Sequence, residues 1–235
     1  ELGFRNLPKG QFLGPYAYTT DEFIDLLDIP NTLLIAVMVD AKMFLDSHLS
    51  VENILSKLFK SASNSRVSIV RIATHFDNVD RIRPIAKSLA DLGYKVSVNL
   101  MQSVGKSEKE LVKAAKTIGS WGEVDLLYFA DSLGSMECEE VRRIVTAIKG
   151  NWTKELGVHT HNNKGGAVNN TFAAIRNGVT WVDSTILGMG RGAGNAETEI
   201  LLLELNKKLK TNYYPEALFE LVLKDFTPMQ RLHGW

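Results

Sequence analysis

A β-rich apolar run followed by an amphipathic helical pattern recurs along this chain at intervals of roughly 20 to 35 residues, and that repeat is the signature of βα units building a parallel sheet. Strands are predicted over residues 32–40, 66–75, 94–101, 124–132, 156–162 and 181–188. Helices are predicted over 51–60, 79–92, 107–119, 137–149, 165–177 and 196–209, several of them stopped by a following glycine (Gly93, Gly150, Gly178). Ser107 and Glu110 have the spacing of a capping box. Glu1-Leu2-Gly3-Phe4 reads as the tail of a further buried strand, so the numbered chain is expected to start inside a domain.

Strict βα alternation is compatible with an open doubly wound sheet or with a (β/α)8 TIM barrel missing its first strand and helix. The barrel is favoured. No long crossover connection interrupts the order, and polar residues stand at the C-terminal ends of several strands: Arg71, His75, Asn99, Asp131, His159, His161 and Asp183. In a barrel those ends converge on one mouth. At 235 residues the chain has the size of one such domain, read as 1–235, N-terminally incomplete, with terminal helices at about 196–235. The segment 6–20 is a long loop in which Tyr16 and Tyr18 either cover the mouth or pack on the surface.

Charge excludes some partners. Lys plus Arg equals Asp plus Glu, 27 each, without a long run of either sign, so neither nucleic acid nor an anionic membrane surface is expected. The single cysteine, Cys138, cannot close an intrachain disulfide, and no apolar run reaches the roughly 18 residues of a membrane span. A soluble, reducing, cytoplasmic setting and a small-molecule substrate follow as expectations. Glu137, Glu139 and Glu140 around Cys138 disfavour a thiolate nucleophile.

The strongest chemical signal is Gly157-Val158-His159-Thr160-His161-Asn162-Asn163. Alternate residues of a strand share a face, so His159 and His161 project together. If Val158 packs outward, both imidazoles point into the mouth, where they can hold a divalent cation such as Mn2+, Co2+, Fe2+ or Zn2+. The alternative is a pair of buried histidines satisfied by hydrogen bonds. Asn195, at the end of Gly188-Met189-Gly190-Arg191-Gly192-Ala193-Gly194-Asn195, either adds a carbonyl oxygen to the metal or caps the following helix.

The glycine loop superficially fits a dinucleotide fingerprint, but no strand follows it and Lys207 and Lys208 stand where an acid belongs. An anion-holding loop, with Arg191 meeting a carboxylate, suits it better. Asp131 and Ser132 bind substrate or stabilise a turn. Arg71 and His75 share a face of their strand, and an inward Arg71 requires either an ion pair or a substrate acid.

His159-Thr160-His161-Asn162-Asn163, the loop 188–195, Ala130-Asp131-Ser132-x-Gly134 and the opening Glu1-Leu2-Gly3-Phe4 together resemble the hydroxymethylglutaryl-CoA lyase-like metal-dependent barrels. That group includes isopropylmalate and homocitrate synthases and 4-hydroxy-2-oxovalerate aldolase. The resemblance implies a TIM barrel with His159, His161 and Asn195 as metal ligands and Glu1 as the acid of the second strand. The metal is expected to be Mn2+ first, with Mg2+, Co2+ or Zn2+ as substitutes. The family's first-strand Asp-x-Thr-Leu-Arg-Asp-Gly segment is absent from these residues.

A glycine loop without cysteine is closest to the aldolases, which implies release of pyruvate and an aldehyde from a 4-hydroxy-2-oxo acid. On that reading His75 and Arg71 are the catalytic candidates, and Glu1, Asn99, Asp131, Ser132 and Arg191 the substrate contacts. A homo-oligomer is compatible; docking of an aldehyde dehydrogenase is not supported, since few residues follow Asn195. The rivals are a Claisen-type synthase joining acyl-CoA to a 2-oxo acid, and an inactive barrel used as a binding module.

Overall fold

The structure is a computed structural model, and it describes residues 1–8 and 10–235. Helix α1 (Asp21–Asp25) precedes strand β1 (Ile35–Asp40). Then come α2 (Ala41–Leu45), α3 (Val51–Leu58), β2 (Val67–Thr74), α4 (Arg83–Asp91), β3 (Lys95–Leu100), α5 (Glu108–Gly119), β4 (Leu126–Asp131), α6 (Cys138–Lys149), β5 (Glu155–Thr160), α7 (Ala167–Arg176), β6 (Trp181–Val182) and α8 (Thr198–Leu209). Short helices α9 (Glu216–Leu221) and α10 (Thr227–His233) flank a π-helical turn at Val222–Phe226. Hydrogen-bonded strand neighbours follow sequence order, β1 to β6, and β1/β2, β2/β3 and β5/β6 pair in parallel. This is the topology that the βα repeat predicts. Among the described residues no helix is long and apolar enough to cross a membrane.

The residues cluster into two compact units: Glu1–Met101 with Val112–Tyr128 and Asn151–Lys154, and Gln102–Leu111 with Phe129–Gly150 and Glu155–Trp235. In the first, β2 is buried along nearly its whole length, as expected of a parallel strand covered on both faces. Ile85, Ala86 and Leu89 form the buried stripe of α4. In the second, Val141, Ile144, Val145 and Ile148 of α6 supply the same stripe, and Leu156 and Val158 bury the outward positions of β5.

The opening stub pairs with β1 through an isolated bridge, Phe4 with Met38. Leu2 N–H donates to Ala36 O at 2.9 Å, Met38 N–H to Gly3 O at 2.9 Å and Arg5 N–H to Met38 O at 2.7 Å, a parallel pairing onto β1. The loop after it packs on the surface of its own unit, not as a free lid. Phe4 N–H donates to Tyr16 O at 2.8 Å, Tyr16 meets Phe23 edge-on at 5.1 Å, and Tyr18 stacks on Phe12 at 5.7 Å while its hydroxyl donates to Gln11 O. The fully buried Arg5 ties this loop down: its Nε donates to Thr19 O at 2.8 Å and its guanidinium pairs with Asp21.

Several boundaries depart from expectation, three of them for a visible reason. The last strand, predicted over 181–188, ends at Val182, because Thr185 N–H donates to Ala196 O and Thr198 N–H to Thr185 O, which diverts the chain into a turn at Ile186–Gly188. For the same reason the helix predicted from 196 begins at Thr198. The helix predicted from 79 opens as a 3-10 stretch, Phe76–Arg81, and becomes α-helical where Pro84 occupies the first turn. Gly93 and Gly178 take the left-handed conformation expected of helix stops; Gly150, at φ −63°, does not.

Candidate metal centre

β5 carries His159 and His161 on one face, and their Nε2 atoms lie 3.3 Å apart. His159 is held at its other nitrogen: Nδ1 is 2.9 Å from Asp183 Oδ2. The pairing of β5 with β6, Gly157 with Trp181 and Val158 with Val182, carries on in register to put His159 beside Asp183. A carboxylate on Nδ1 favours the tautomer with the proton there, which leaves Nε2 with its lone pair, facing His161 Nε2. Burial, then the neighbouring His159, then the Arg191 cation hold the His161 pKa below its ordinary value, against the Asp131 carboxylate and the Gly194 backbone. His161 is therefore biased toward the neutral ring that ligates a metal.

A third candidate donor lies on the glycine loop. An antiparallel bridge joins His161 to Asn195, and Asn162 N–H donates to Gly194 O at 2.8 Å. The Asn195 amide group donates through Nδ2 to Met189 O at 3.0 Å and to Thr185 Oγ1 at 3.4 Å. Its Oδ1 is buried and has no hydrogen-bond partner. An orphaned buried carbonyl oxygen is costly, and a cation is one partner that satisfies it. Asn195 does not cap the next helix; Glu197 holds that position, without a side-chain cap bond.

These donors fit a divalent ion. Two ring nitrogens each about 2.0–2.1 Å from one ion are themselves roughly 3–3.4 Å apart, which matches the Nε2 separation. Two imidazoles and an amide oxygen make three protein donors, the usual complement of a catalytic site that keeps positions open for water or substrate. Among the described residues no three His, Cys, Asp or Glu side chains are grouped to hold an ion. Asp183 serves His159, and the fully buried Asp131 uses Oδ1 and Oδ2 to accept from Ser135 N–H and Met136 N–H, both at 3.0 Å. The turn reading of Asp131 is thus seen in its hydrogen bonds. Ser132 likewise accepts from Gln102 N–H at 2.9 Å. Arg191 is exposed on the loop, close enough to act on His161.

Glycines shape the loop. A Cβ on Gly190 would stand 2.5 Å from Asn195 Nδ2, and one on Gly194, already at φ +82°, 2.0 Å from Gly188 O.

The remaining sequence-predicted residues belong to the first unit. Arg71 Nε is 3.2 Å from Glu1 Oε2, and its guanidinium lies over the Tyr128 ring at 3.9 Å from the centroid. The ion-pair alternative for this buried arginine is thus the one observed. Asn99 is buried with Oδ1 unpartnered, and the β2/β3 register places it on the face shared by Arg71. His75 lies one residue past the end of β2 and is exposed, so the predicted continuation of the strand to residue 75, with His75 inside its pleat, does not hold. Asp183, which sequence reading left among the polar strand ends without a role, is the residue that orients the candidate ligand His159. Its register opposite His159 is the signal that identifies it.

Residues 30–222 match the HMGL-like family. A 4-hydroxy-2-oxovalerate aldolase of Bacillus thuringiensis is 37% identical over 148 residues, 63% of this chain and 43% of that protein. The chain therefore spans less than half the length of such curated relatives. The N-terminal domain of a Bacteroides vulgatus protein assigned as an aldolase superposes with a TM-score of 0.88 at 30% identity, covering 100% of this chain and 76% of that one. An HMG-CoA lyase from Brucella melitensis shares the fold at a TM-score of 0.64 and 13% identity, over 80% and 70% of the two chains. The expected fold class, α/β of the TIM-barrel type, is borne out.

Proposed function

Because this chain belongs to the HMGL-like family, we propose that it carries the metal-binding part of an aldolase that cleaves a 4-hydroxy-2-oxo acid to pyruvate and an aldehyde. The observation that carries this reading is the 3.3 Å approach of the His159 and His161 Nε2 atoms, with His161 bridged to Asn195, whose buried Oδ1 has no hydrogen-bond partner. His159, His161 and Asn195 would hold the ion, Mn2+ being the first choice. A divalent cation at such a site supplies Lewis-acid polarisation of the 2-oxo acid, worth several kcal/mol in comparable reactions.

The chain's own residues account for the rest of the local design. Asp183 holds the His159 proton at Nδ1 and keeps Nε2 available. Asp131, locked by two backbone N–H groups, is a fixed anion near His161. Arg191 presents a guanidinium to a substrate carboxylate on the exposed side of the loop. The aldolase names of the curated relatives support this assignment over a Claisen-type synthase.

The test is pyruvate release from 4-hydroxy-2-oxovalerate in the presence of Mn2+, using the protein that contains this chain. Turnover should be lost in His159→Ala. Full turnover in that variant, or coenzyme A release from acetyl-CoA and a 2-oxo acid without aldol cleavage, would overturn the assignment.

A further inference from the structure

The glycine loop is entered through a strained residue. Leu187 adopts φ 50°, ψ 29°, a left-handed conformation that side-chain-bearing residues avoid and that persists only where surrounding contacts impose it. Both faces of its peptide environment are held. Leu187 N–H donates to the Glu199 carboxylate, 3.2 Å from each oxygen, and Glu199 is buried on the first turn of α8. Leu187 O accepts from Trp235 Nε1 at 2.8 Å.

Trp235 also reaches the far end of the loop. Its Cδ1 lies 3.4 Å from the position a Cβ would take on Gly194, so the indole rests against that glycine. Between these two anchors the loop closes on itself, with Asn195 N–H donating to Gly188 O at 2.8 Å. A buried acid and an indole, neither of them among the proposed ligands, therefore fix the start and end of the segment that presents Asn195.

We propose that Glu199 and Trp235 are positioning residues that clamp the loop and hold the Asn195 side-chain oxygen beside the two histidines. The clamp rests on contacts of this chain alone; its consequence for metal affinity rests on the metal reading above. Trp235→Phe keeps an aromatic ring against Gly194 and removes only the N–H donor. Glu199→Ala removes the acceptor, and Glu199→Gln, which keeps an acceptor oxygen, covers the case in which the alanine variant fails to fold.

Two measurements test it. Amide hydrogen exchange should accelerate at Gly188 and Asn195, roughly 3- to 10-fold in Trp235→Phe, as loss of one hydrogen bond would give, while α6 and α7 keep wild-type protection. Mn2+ titration should show weaker binding in Trp235→Phe but no further weakening when that change is added to Asn195→Ala, because the clamp acts through Asn195. Unchanged exchange in both the Trp235 and Glu199 variants overturns the clamp. Equal weakening in wild-type and Asn195→Ala backgrounds overturns its route through Asn195. If the wild type takes up no Mn2+, the metal reading fails and the exchange result alone decides the clamp.

Discussion

His159 Nδ1 on β5 lies 2.9 Å from Oδ2 of Asp183, the residue just past β6, and the two meet because the β5/β6 register brings them level. That bond orients the imidazole and, on the metal reading, would prepare it as a ligand. Asp183→Ala should lower Mn2+ affinity about 10- to 100-fold, the usual cost of losing a partner behind a metal-binding imidazole. Titration of free Mn2+ measures it; an unchanged dissociation constant would show that the pair does not tune the site.

His161 should titrate below the ordinary imidazole value of 6.5, burial being the largest cause. A depressed folded-state pKa contributes stability that is present above the unfolded value and is lost as pH falls through the folded one. Chemical-shift titration of the His161 ring checks this, and a midpoint at or above 6.5 would contradict it.

The predicted capping box is formed. Ser107 N–H donates to Glu110 Oε2 at 2.8 Å, and Glu110 N–H to Ser107 Oγ at 3.3 Å. The Ser107 hydroxyl, then its backbone N–H, then Lys106 lower the Glu110 pKa to about 2. Its contribution is therefore present above about 4.5 and lost as pH falls toward 2. Ser107→Ala should destabilise the fold by about 1 kcal/mol at neutral pH, and Glu110→Gln should flatten the acid limb of the stability profile. Thermal denaturation across pH reads both.

Gly194→Ala places a methyl group 2.0 Å from Gly188 O at a positive φ, so the loop must rearrange. The expected loss is about 1–3 kcal/mol, together with weaker Mn2+ binding. A thermal midpoint and affinity equal to wild type would show that the loop is not held as described.

Much of this was legible beforehand because it depends on local periodicity. The apolar runs of β2 and β4, the stripes of α4 and α6 and the His-x-His alternation each state their own geometry. What escaped depends on contacts distant in sequence. β6 stops at Val182 because Ala196 and Thr198 capture Thr185, and nothing within 181–188 reports that. Arg5 is buried by contacts with Thr19, Asp21 and the Phe59 ring, none of which its local sequence reports. The competition between cap and ligand at Asn195 was undecidable from spacing, and the unpartnered Oδ1 decides which atom is free to bind.

Binding of Mn2+ to the purified chain, followed by calorimetry alongside a circular dichroism check of folding, tests the centre most directly. One ion per chain is predicted for the wild type, with uptake abolished in His159→Ala/His161→Ala while the helical signal is retained. Equal uptake by that double variant would contradict the account.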